Sequence, residues 1–225
     1  MPSKKKQQRI YKEVPRLLLG FDTETTGLEV TTERAISYGF CAYQYGVPIW
    51  QEQVFVLPDR EIAPGAAKVH GLSIERLNEM AASGEQKVLT VEGGLAYALS
   101  ILQHWHEQGA EIIGANVVRF DLEMLRQSTQ SKLGKSVVEA GLAIDDLRII
   151  DVISHDRSID TDSATRPRRG LSYLCEHYGV KQGRHDALGD AVATVEVFLE
   201  QIIRVNKGRM SFGILSDSEI ASFSN

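Results

Sequence analysis

The segment Phe21-Asp22-Thr23-Glu24-Thr25-Thr26-Gly27-Leu28 sets two carboxylates two residues apart, directly after the apolar run Leu17-Leu18-Leu19-Gly20. In a strand, residues i and i+2 share a face, so Asp22 and Glu24 project side by side. Two anions aimed at one point beside a buried strand repel each other unless a cation lies between them. Hard oxygen ligands favour Mg2+ or Mn2+ over zinc. The competing reading is a strand end before a polar turn, with Glu24 simply solvated. On the first reading, Thr25, Thr26 and Gly27 end the strand and leave hydroxyl and backbone groups to meet a ligand.

Two later segments supply partners. In Gly114-Ala115-Asn116-Val117-Val118-Arg119-Phe120-Asp121 a strand gives way to a helix, which puts Asp121 at a helix N-terminus where an anion is favoured. Alone, that pattern is a helix cap with Phe120 in the core. In His185-Asp186-Ala187-Leu188-Gly189-Asp190-Ala191, the five-residue spacing keeps His185 and Asp190 off a common helix face. They meet only if His185 precedes the helix and Asp190 lies in its first turns, with Asp186 as the N-cap.

The elements that must carry these groups can be read from periodicity. Strands are expected at 16–22, 35–45, 49–57, 111–115 and 147–150, with a hairpin turn at 46–48. Helices are expected at 64–70, at 74–80 with Ser73 as N-cap, at 90–106, from 122, at 171–178 and at 186–206. Residues 131–146 read as an extended helix or a loop, and 158–169 as a polar loop. The sum is an α/β fold, a mixed five-stranded sheet with helices on both faces and the first strand central.

The 225 residues fit one such domain. Residues 1–14 form a basic leader expected to be disordered and open to weak phosphate contact. Residues 15–206 form the domain, and 207–225 a flexible tail. A net charge of −5 is the wrong sign for a protein that coats duplex nucleic acid, but suits one that grips a few nucleotides through bound metal. No apolar run reaches membrane-spanning length, no signal-peptide segment follows the leader, and Cys41 and Cys175 suggest reduced thiols, so a cytoplasmic location without membrane contact is expected.

Taken together, Phe-Asp-Thr-Glu-Thr-Thr-Gly-Leu, Asn-Val-Val-Arg-Phe-Asp and His-Asp-Ala-Leu-Gly-Asp-Ala resemble the three motifs of the DEDDh 3′→5′ exonucleases. That group includes the epsilon proofreading subunit of bacterial DNA polymerase III, ribonuclease T and oligoribonuclease. The resemblance spans roughly residues 16–205, and Val69-His70-Gly71-Leu72 is similar to an element of the epsilon-like branch. It implies a ribonuclease-H-like fold. It also implies that Asp22, Glu24, Asp121 and Asp190 hold two Mg2+ or Mn2+ ions, Asp22 between them, with His185 as general base. One ion would lower the pKa of a water whose proton His185 takes, and the other would stabilise the leaving 3′ oxygen.

The resemblance further implies that Thr25, Thr26, Gly27 and Leu28 seat the 3′-terminal nucleotide of a single strand, DNA favoured over RNA, with His70 in contact with it. Leu28 has plain loop packing as its alternative, and His70 an exposed helix end. Three residues separate Asn116 from Phe120, one more than the family pattern, which leaves the role of Asn116 open. Asp151 falls near the family's Asp-Thr-Leu element and is read as a cap or surface residue outside the site. Arg166, Arg168 and Arg169 read as a solvated loop that could steer phosphates. A polymerase partner, an RNA-trimming activity and a non-catalytic binding subunit are the alternatives in function.

Overall fold

The computed structural model describes residues 10–159, 170–182 and 185–207. Strand β1 (Leu17–Thr25) is buried on both faces through Phe21, and so it must lie inside a sheet rather than at an edge. Around it are β2 (Ala35–Gln44), β3 (Val47–Val56), β4 (Val88–Leu89), β5 (Glu111–Gly114) and β6 (Ile149–Asp151), in the order β4-β3-β2-β1-β5-β6. The β1–β2 and β2–β3 pairs are antiparallel; the others are parallel. The mixed α/β architecture expected from the sequence is present, with β1 central.

The helices are α1 (Pro64–His70), α2 (Ile74–Ser83), α3 (Val91–Glu107), α4 (Asp121–Leu133), α5 (Val152–Ile159), α6 (Leu171–Tyr178) and α7 (Ala187–Val205). Alternation along β1 divides the core. Leu17, Leu19 and Phe21 pack with Leu95 and Leu99 of α3 and Leu122 and Leu125 of α4. Leu18 turns the other way, towards Leu174 of α6 and Ala191, Val195 and Phe198 of α7. Helices therefore cover both faces.

Three differences from the expected elements have simple causes. The sheet has six strands, not five, because Val88 and Leu89 pair with Phe55 and Val56. Two residues are too few to show a period. Helix α4 runs on to Leu133, where Gly134 closes it in a left-handed conformation. Helix α5 was not foreseen; it starts where the Asp151 carboxylate accepts the amides of Ile153 and Ser154, both at 3.0 Å. At the N-terminus, packed residues begin ahead of position 15: Val14 is fully buried, and Tyr11 meets Phe198 and His155 edge-on. The expected leader up to Arg9, the tail from Gly208, and Arg166, Arg168 and Arg169 lie outside the described residues.

Candidate active site

Strand β1 outruns its neighbour. It pairs with β5 only over Leu18, Leu19 and Gly20, so Asp22 and Glu24 project beyond the end of β5. There the chain turns through residues 115–120 into α4, whose first residue is Asp121. In the next layer, α7 crosses β1 and β2 at two glycines. A Cβ on Gly39, the β2 partner of Asp22, would sit 2.1 Å from the Ala187 backbone; one on Gly20 would meet the Ala191 carbonyl at 2.8 Å. Those bare positions let the helix lie against the strands and bring Asp190 to the carboxylates of β1.

The oxygens of Asp22, Glu24 and Asp190 all lie within 4.8 Å of one another. Asp121 stands next to this trio rather than in it. One of its oxygens accepts the Thr23 hydroxyl at 2.7 Å, across the strand from Asp22. Burial, followed by the charges of Asp121, Asp190 and Glu24, pushes the Asp22 carboxyl well above the usual range. Glu24 is pushed up to about 8 by burial and then by Asp190, Asp186 and Asp121. Asp121 is raised to about 7, chiefly by burial. The charges acting most strongly on Asp22 and Glu24 are other carboxylates, and no group among the described residues neutralises them. An oxygen-rich donor set held against its own repulsion fits a hard divalent cation.

His185 lies on the bend before α7, and Asp186 caps that helix by accepting the Gly189 amide at 2.9 Å. Asp190 sits in the first turn, so the arrangement required by the five-residue spacing is the one adopted. His185 Nδ1 is 3.7 Å from Asp190 Oδ2, while Asp190 Oδ1 accepts Gln182 Nε2 at 3.1 Å. Burial raises Asp190, against the lowering effects of Gln182 and His185.

The turn after β1 departs from expectation. Its hydroxyls are not free: Thr25 donates to the Gly27 carbonyl at 2.7 Å, and buried Thr26 donates to Glu33 and accepts the Arg34 amide at 2.9 Å. Leu28, in contrast, is 87% exposed, so loop packing does not hold it. His70 is half-buried at the end of α1; Nδ1 accepts the Leu72 amide at 3.1 Å, and buried Nε2 has no well-formed hydrogen bond. Asn116 takes φ +64° at the tip of the longer turn, its carbonyl accepting the amides of Arg119 and Phe120 at 3.1 Å. Val117 is fully buried, and so it takes no part in the site.

The carboxylates lie at the seam of two clefts. One, of about 780 Å3, is lined by Asp22, Asp190, Asn116, Arg119, Asp151 and Arg157 among others. The second, of about 600 Å3, is lined by Glu24, His70, His185 and Asp186 with apolar Phe55 and Met80. Asp151, set outside the site on sequence grounds, faces the first cleft and its charge helps to raise Asp121. Its place near an Asp-Thr-Leu element was the available signal. Cys41 and Cys175 are free and buried, and no described helix is long and apolar enough to cross a membrane.

A family model described as exonuclease, RNase T, matches residues 19–198. No curated protein sequence matches the chain. Among solved structures, exonuclease I from Methylocaldum szegediense is similar at 21% identity and a TM-score of 0.61, over 86% of this chain and 41% of that one. E. coli exonuclease I in complex with a dT13 oligonucleotide is similar at 18% identity and a TM-score of 0.60, over 85% of this chain and 41% of that one. The chain thus spans about two fifths of the length of these relatives. At such identities the likeness is one of fold, and it is the fold derived above. The family match covers most of the chain and includes all three acidic motifs: the protein belongs to the RNase T exonuclease family.

Proposed function

We propose that this chain is a metal-dependent 3′→5′ exonuclease that removes nucleoside 5′-monophosphates from single-stranded nucleic acid, DNA in preference to RNA. The observation that carries the reading is the trio Asp22, Glu24 and Asp190, with oxygens within 4.8 Å and charges that no neighbouring cation among the described residues offsets. Together with Asp121, these residues would hold two divalent cations, Mg2+ or Mn2+. Such ions, when bound, lower the pKa of water and offset charge on the reacting phosphate.

The chain's own groups have separable tasks. His185 stands exposed at the mouth of the second cleft, where its imidazole can take the proton of the attacking water. Asp190 Oδ2, 3.7 Å from Nδ1, faces that ring. Thr23 holds the Asp121 carboxylate through its hydroxyl, which fixes the side chain before substrate arrives. Leu28 offers an unpacked apolar surface to a base, and the committed hydroxyls of Thr25 and Thr26 make the turn a rigid seat for it. His70 lines the same cleft, its ring held there by the Leu72 amide on Nδ1. The dT13 complex of E. coli exonuclease I supports DNA as the strand bound.

The test is release of mononucleotides from a 5′-labelled linear single strand in Mg2+, compared with a closed circular strand and with Asp22→Asn. Shortening from the 3′ end by the wild type alone, with the circle intact, is expected. Equal activity in both proteins, or cutting of the circle, refutes the reading. Parallel time courses on DNA and RNA decide the substrate.

A further inference from the structure

The turn that presents Leu28 is held from a side that the catalytic reading does not use. Leu28 is 87% exposed, so its place depends on the backbone before it rather than on packing of its own side chain. That backbone is pinned at Thr26, whose amide donates to the Arg34 carbonyl at 2.8 Å and whose carbonyl accepts the Ala63 amide at 2.8 Å. The Thr26 hydroxyl accepts the Arg34 amide at 2.9 Å and donates to the Glu33 carboxylate. The same carboxylate backs the next residue: a Cβ on Gly27 would stand 3.0 Å from Glu33 Cδ. Glu33 thus lies against both residues that precede Leu28.

Glu33 is itself held. Arg60 Nε lies 3.4 Å from Glu33 Oε2, and another nitrogen of the same guanidinium donates to the Thr32 carbonyl. Arg60 comes from the loop ahead of α1, and that loop is tied down on both sides of it. Asp59 pairs with Lys132 in the last turn of α4 and faces Arg34 Nε at 3.7 Å, while the Ala63 amide reaches back to Thr26. Arg34 closes the other side, its guanidinium donating to the Thr32 and Glu33 carbonyls, both at 2.8 Å. Fixing a turn before its ligand arrives removes an ordering cost from binding, so the effect of such a brace falls on affinity.

We infer that Glu33 is a positioning residue for the 3′-terminal nucleotide: its carboxylate, clamped by Arg60, braces Thr26 and Gly27 so that Leu28 is presented to the terminal base. The inference rests on the proposed exonuclease reading for the identity of the ligand. Glu33 lines neither cleft, so its action passes through the turn. Its loss weakens the hold on a strand that ends in a base and leaves untouched the hold on a strand that lacks one there.

The test measures binding of an oligothymidylate, and of the same strand with an abasic 3′-terminal residue, with Ca2+ in place of Mg2+. Glu33→Ala in the full chain should weaken the first by about 3–10-fold and leave the second unchanged. In a Leu28→Ala background the same substitution should add nothing, because the residue it positions is gone. Glu33→Gln, which keeps an oxygen for Thr26 and the backing of Gly27, should bind both strands as the wild type does. Glu33→Asp, one methylene short of Thr26, should show the Ala pattern at smaller size, and it serves if the Ala variant does not fold. Equal loss on both strands, no loss on either, or additive losses in the double variant overturns the inference. Shortening of the strand in Mg2+ is scored apart from binding. A wild type that binds the strand without shortening it refutes the exonuclease reading while the double-mutant cycle still decides Glu33; one that binds neither strand overturns both.

Discussion

Removing the charge of Glu24 should stabilise the metal-free protein, and only at high pH. Glu24 is pushed up from 4.5 to about 8, first by burial and then by Asp190, Asp186 and Asp121. Between the unfolded and folded values the native state holds a proton that the unfolded chain has released, so stability is present at low pH and is lost as pH rises towards 8. At 1.36 kcal/mol per unit, the shift sets a ceiling of about 4–5 kcal/mol; partial solvent access to the carboxylate brings the expectation to about 2 kcal/mol. Glu24→Gln removes the ionisation. Chemical denaturation in chelator should therefore show the variant about 2 kcal/mol more stable than wild type at pH 8 and equal to it near pH 5. Half-buried His70 and buried His155, both lowered mainly by desolvation, contribute a slope of the opposite sign in both proteins, so comparing the two cancels it. Saturating Mg2+ should reverse the order at pH 8, since only the wild type keeps the full carboxylate set. A variant less stable than wild type at pH 8 in chelator, or the same difference at both pH values, refutes the electrostatic account of the cluster.

Four further substitutions test the same geometry. His185→Ala should lower kcat by roughly 10²–10⁴-fold, with thermal stability close to wild type because the side chain is exposed. Gly39→Ala should cost about 1–3 kcal/mol in denaturant unfolding and most of the activity, because its Cβ would displace the start of α7 and carry Asp190 away from Asp22. Leu28→Ala should leave the melting temperature within measurement error yet raise KM, whereas Thr26→Val should cost about 1–3 kcal/mol by stranding Glu33 and the Arg34 amide. Steady-state kinetics beside thermal melts separate the two.

Much of the site was legible because its spacing is local. Asp22 and Glu24 are two apart in a strand, and that alone fixes their common direction. The distance between His185 and Asp190 forced a loop and a helix start on either side of Asp186, which is how the chain runs there. Asp121 was legible as a helix start for the same reason. The acidic charge was legible too, and with it the need for a cation.

The tertiary structure decided what depends on approach between distant segments. Nothing local reveals that Gly20 and Gly39 are bare so that α7 can lie on the sheet, yet that contact converts separate carboxylates into one cluster. Nor does local sequence separate neighbours in the turn: Thr26 is buried and spent on Glu33 and Arg34, while Leu28 two residues later is open to solvent. Asp151 and Tyr11 came into view only when β6 and the N-terminal segment were seen to border the same cleft. The sequence determined which groups exist and how each leaves its own element. Only packing determined which of them meet, because electrostatic coupling and burial depend on distance through space rather than along the chain.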